Sequence, residues 1–87
     1  MKKYSKKLTR SEVERHFIYI IQKYRDLFPK TGELFKIRIK KLELQKTIDN
    51  KNRIWLGEEA FRGLKVGDIV EITKNSDGSF TIEVVRK

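Results

Sequence analysis

The apolar positions of this chain change period twice, and each change marks a new element. Val13, Phe17, Ile20, Ile21, Tyr24, Leu27 and Phe28 recur at spacings of three and four, the pattern that lines one face of an α-helix. Ahead of them Thr9-Arg10-Ser11-Glu12 matches a capping box, in which a hydroxyl and a carboxylate satisfy the orphan N–H groups of a helix start. Pro29 and Gly32 end the pattern. The spacing therefore predicts an amphipathic helix over 10–28, and Ile18 and Tyr19 widen its apolar surface beyond a single stripe.

From Leu34 the period falls to two. Phe35, Ile37 and Ile39 alternate with Lys36, Arg38 and Lys40, as in a half-buried strand with a cationic outer face. The parity slips at Lys40-Lys41 and resumes with Leu42, Leu44 and Ile48, so a bulge or sharp bend is expected at the two lysines. Asp49-Asn50-Lys51-Asn52 is a turn by composition. Arg53-Ile54-Trp55-Leu56 is a short strand, Gly57 breaks it, and the segment 58–64 has the acids Glu58 and Glu59 where a short helix begins. Gly67-Asp68 turns into a strand with Ile69, Val70 and Ile72, and Asp77-Gly78 returns the chain through Phe80, Ile82 and Val84 as a hairpin. The expected fold class is α+β: an N-terminal amphipathic helix, then a small antiparallel β-barrel core with one short helix. A parallel α/β fold is excluded, because no second helix is long enough to cross over. The single domain divides into a mobile basic arm at 1–8, the helix and its connection at 9–33, and a β core at 34–87.

Charge adds direction to this outline. The 87 residues carry 21 Lys and Arg against 12 Asp and Glu, a net charge of +9. The excess is +5 in residues 1–33 and +5 in 34–53, while 54–87 carry −1. Such segregation points to a directional positive face, the footprint of a nucleic-acid partner. With no Cys and one His, the sequence offers neither disulfides nor a metal-ligand set. No nucleophile–base pattern or carboxylate pair of catalytic spacing is visible, so binding is expected instead of catalysis, with no cofactor and no small-molecule substrate. No apolar run is long enough to cross a bilayer, and the expected location is the cytoplasm. Abundant Lys and Glu with few Cys, Met, Gln and Asn lean toward a thermophilic source. A domain this small, without staples, gains stability from self-association, so a homodimer is expected.

Lys46-Thr47-Ile48-Asp49, Arg53-Ile54, Leu56, Leu64 and Val66-Gly67-Asp68, followed by the alternating Val70 and Ile72, resemble the AbrB-type swapped-hairpin DNA-binding domain over roughly residues 36–85. The resemblance implies an obligate dimer in which hairpins of two chains interleave, with basic side chains near the first two strands meeting DNA. The helix at 10–28 is no part of that family's pattern.

The candidate DNA-binding residues are Lys36, Arg38, Lys40, Lys41, Lys46, Lys51 and Arg53. Lys36, Arg38 and Lys40 leave one strand face at intervals of about 7 Å, close to the spacing of phosphates along a DNA strand. The same lysines also suit a solvated sheet edge. Lys51 and Arg53 flank the turn, from which an Arg reaches into a groove. Trp55 shares parity with Arg53 and is expected to be covered by the helix or a second subunit; His16, alone on its helix, is expected to be solvent-facing or hydrogen-bonded. The expected function is duplex-DNA binding, in transcription regulation or chromatin architecture. Two alternatives stand beside it: a protein-interaction module of antitoxin or adaptor type, and an RNA-binding small barrel.

Overall fold

Tyr4 and Leu8, two apolar residues in a lysine-rich start, are both wholly buried, and that burial sets the first element. In the computed structural model, which describes residues 3–85, strand β1 (Lys3–Lys7) pairs antiparallel with β6 (Ile69–Lys74). The segment expected to be a mobile arm is thus an edge strand, with Tyr4, Lys6 and Leu8 sharing the inward parity and Lys3, Ser5 and Lys7 facing out. Met1 and Lys2 of that arm, and Arg86 and Lys87 of the β core, lie outside the described residues.

The long N-terminal helix does not form. Helix α1 (Arg10–Arg15) ends at His16, which adopts a left-handed conformation with φ 67° and donates its N–H to the Glu12 carbonyl. Strand β2 (Phe17–Tyr19) follows, then a 3₁₀ helix over Gln22–Leu27. The physical reason lies in the run Phe17-Ile18-Tyr19-Ile20-Ile21, which is β-branched and aromatic throughout and satisfies both periods at once. In extended form Ile18 and Ile20 are fully buried and Tyr19 and Ile21 38% exposed, while Phe17, on the Tyr19 side, is buried as well. The capping box forms as predicted, but its carboxylate also accepts the Tyr19 N–H at 2.8 Å. Glu12 therefore folds β2 back against α1, where a continuous helix would carry it away.

Strands β3 (Phe35–Ile39) and β4 (Leu42–Lys46) form a hairpin turned by Lys40-Lys41, so the expected bend is a full reversal. Strand β5 (Arg53–Trp55) pairs antiparallel with β2, helix α2 spans Glu58–Phe61, and β6 returns through Asp77-Gly78 into β7 (Phe80–Val85). The main sheet has the order β1-β6-β7-β3-β4 and is mixed, because β3 runs parallel to β7. An all-antiparallel sheet was the wrong expectation: the chain between β4 and β6 is long enough to bring β7 alongside β3 in the same direction. The barrel stays open as well, with β1 and β4 as its edges. The hairpins β3–β4 and β6–β7 close within one chain, in place of the interleaved hairpins of a swapped core.

The inward face of this sheet carries Tyr4, Ile37, Ile39, Val70, Ile72, Phe80 and Ile82, all buried. The β2–β5 ribbon closes the other side of the core, with Ile18 opposite Ile54 and neither exposed. The Tyr4 hydroxyl donates to the Tyr19 carbonyl at 2.8 Å and accepts the Ile21 N–H, tying sheet to ribbon. Burial pushes its pKa up to about 12. Among the described residues, no helix is long and apolar enough to cross a membrane.

Candidate nucleic-acid interface

A two-stranded ribbon that buries one side chain per strand must present the next on its other face. Burying Ile18 and Ile54 turns Tyr19 and Arg53, opposite one another, and the Phe17–Trp55 pair outward. Trp55, expected to be covered, packs its ring 4.8 Å from that of Phe17 on β2 but remains 38% exposed. Arg53 lies across both rings, with its guanidinium carbon 4.8 Å from the Trp55 centroid and 5.7 Å from Phe17. Lys6 of β1 adds its ammonium 5.7 Å from the Tyr19 ring and 3.4 Å from Glu12. Lys6, Thr9, Glu12, Phe17, Tyr19, Lys51 and Arg53 line a shallow groove of about 360 Å³.

The turn 49–52 organises this face. Asp49 Oδ1 accepts the backbone N–H groups of Lys51 and Arg53, and Oδ2 accepts Arg53 Nε and Trp55 Nε1, all at 2.9 Å. Partial burial opposes ionisation of this carboxyl, but the Trp55 indole, the two backbone N–H groups and the guanidinium outweigh it and hold the pKa at about 2. The unfolded value is about 3.9. Because the folded value is the lower, the stabilisation is present above about pH 4 and is lost as pH falls toward 2. Melting temperatures measured from pH 5 to pH 2 are expected to fall, and Asp49→Asn is expected to flatten part of that fall. Asp77, in the β6–β7 turn, is also lowered, by hydrogen bonds from the Ser79 hydroxyl and N–H.

The other sequence candidates are dispersed. Lys36 and Arg38 leave the outward face of β3 together but share Glu43 of β4, at 3.8 Å and 3.7 Å. Glu71 and Glu83 face one another on the same outward side, and Lys3 meets Glu71 at 3.8 Å. That face is charge-mixed. Lys40 and Lys41 form the β3–β4 turn, Lys40 in a left-handed conformation with φ 57° and bonded to the Arg62 carbonyl. Lys46 is half-buried on the inward side of β4 beside Leu44. Of these candidates, Arg53 lies on the aromatic ribbon and Lys51 in the turn beside it, both lining the groove. Lys6, Phe17 and Tyr19 complete it and were missed by sequence reasoning, although Lys6 between Tyr4 and Leu8 carried the period-two signal. His16 is half-buried, 5.8 Å from the Phe61 ring. Among the described residues, no three His, Cys, Asp or Glu side chains converge as metal ligands would.

No family model and no curated protein sequence matches the chain. The structure resembles the N-terminal domain of Helicobacter pylori LlaJI.R1, with a TM-score of 0.73 over 99% of this chain and 88% of that one. At 17% identity the likeness is one of fold.

Proposed function

We propose that the chain is a duplex-DNA-binding module of transcription regulation or chromatin architecture, and that it presents the β2–β5 ribbon and the 49–52 turn to the duplex. The observation that carries this reading is the ribbon itself: two antiparallel strands whose outward side holds Tyr19, Arg53 and Trp55, flanked by Lys6 and Lys51. The major groove of B-DNA is about 12 Å wide and admits a two-stranded ribbon. The net charge of +9 supplies the long-range attraction to phosphates. Lys36 and Arg38, which share Glu43 on the charge-mixed outward face of the sheet, are the weaker candidates for contact.

The test compares two neutral substitutions. Lys51 is exposed and has no ion pair among the described residues, so Lys51→Ala is expected to weaken every duplex alike and lower the slope of log affinity against log salt by about one. Lys36→Ala is expected to leave binding close to that of the parent. The reverse ranking would move the interface to the sheet. A second reading, binding of single-stranded nucleic acid, is favoured by Tyr19 and Trp55, each 38% exposed and able to stack a base. Tighter binding to single-stranded DNA or RNA than to a duplex would select it.

A further inference from the structure

Arg53 is held at one end and free at the other. Its Nε is fixed by Asp49 Oδ2 at 2.9 Å, and Asp49 is itself fixed by the backbone N–H groups of Lys51 and Arg53. The Trp55 and Phe17 rings restrict the plane of the guanidinium. Among the described residues, neither terminal nitrogen of Arg53 has a hydrogen bond or ion pair; the one ion pair of Arg53 runs through Nε. No buried side-chain nitrogen or oxygen among the described residues lacks a partner, so both terminal nitrogens reach solvent. The result is an outward fork of two donors on a pre-set stem.

We propose that this fork reads guanine in the major groove, with Arg53 as the base-contacting residue and Asp49 as the positioning residue that aims it. The inference rests on the duplex-DNA reading above. In the major groove guanine presents two adjacent acceptors, N7 and O6, whereas adenine pairs an acceptor with a donor, thymine offers one acceptor and a methyl, and cytosine offers a donor. A fork of two donors is satisfied at both points by guanine alone. A lysine at this position would carry the charge without the fork. A phosphate also accepts a guanidinium fork, and the experiment separates the two partners.

The full chain is used to select from a random-sequence duplex pool, which is then sequenced, and binding to single duplexes follows. The parent is expected to enrich guanine at one position, and changing that guanine to adenine is expected to weaken binding roughly 5- to 150-fold. Replacing it with 7-deazaguanine, which removes one acceptor, is expected to cause a smaller loss. Arg53→Lys is expected to abolish the preference while binding all duplexes within a few-fold of one another. Asp49→Asn is expected to broaden the preference at the same position; should it fail to fold, Arg53→Lys carries the test alone. Duplex binding without guanine enrichment, or an unchanged preference in Arg53→Lys, overturns the guanine assignment alone; uniform weakening of all duplexes with a lower salt slope in Arg53→Ala would then identify Arg53 as a phosphate contact. Absence of duplex binding by the parent overturns the duplex reading together with it.

Discussion

Glu12→Ala is expected to cost about 3–5 kcal/mol of folding stability, measured by urea denaturation, and to release β2 from α1. The carboxylate is 1% exposed. Its Oε1 accepts the Thr9 N–H at 2.9 Å and the Thr9 hydroxyl at 3.0 Å, while Oε2 accepts the Tyr19 N–H at 2.8 Å. Alanine leaves these backbone donors without acceptors, each a loss of about 1–3 kcal/mol when buried. It also strips Lys6, whose side chain is only 15% exposed, of its counter-charge. Glu12→Gln keeps an acceptor at one end only and turns its amide donor toward either Thr9 or Tyr19, so about half the loss is expected. Equal stability of parent and Glu12→Ala would mean that β2 is held by the ribbon pairing alone.

The second large effect lies at the centre of the core. Phe80 is fully buried, stacked on Phe28 with centroids 4.9 Å apart and edge-on to Phe35 at 5.2 Å. It stands where β7 begins its parallel pairing with β3, opposite Ile37. Phe80→Ala is expected to cost about 3–5 kcal/mol, the transfer loss plus the cavity left between three elements. Small domains hold a total of about 5–15 kcal/mol, and this one belongs near the lower end. Thermal melting of the variant is therefore expected to begin near room temperature, whereas Phe80→Leu, which refills part of the volume, retains a cooperative transition. An unaltered melting curve for Phe80→Ala would remove the aromatic cluster from the centre of the core.

The second half of the chain was more legible in sequence than the first, for a local reason. Between Leu34 and Val85 the strands are short and mostly alternating, and apart from the Lys40-Lys41 reversal they are separated by turns with Gly or Asp, so period and punctuation agree. In 10–28 the apolar residues sit at positions compatible with both a helix and a strand. The choice falls to contacts that no local pattern contains: the Glu12 carboxylate on Tyr19, Tyr4 on the β2 backbone, and β5 alongside β2. The same limit applied to the site. Lys51 and Arg53 could be singled out as candidates because a turn declares itself, but the aromatic partners of Arg53 come from two strands, and Phe17 joins it only through the ribbon register. The parallel β3–β7 pairing was equally non-local, and no turn signal encodes it.

Duplex-DNA binding is tested most directly by fluorescence anisotropy of a labelled duplex titrated with the full chain at salt concentrations from about 50 to 200 mM. The ribbon and its flanking lysines predict binding whose log affinity falls linearly with log salt, with a slope equivalent to several phosphate contacts, and that is stronger for duplex than for single-stranded DNA or RNA. No binding at the lowest salt, or an affinity indifferent to salt, would contradict it.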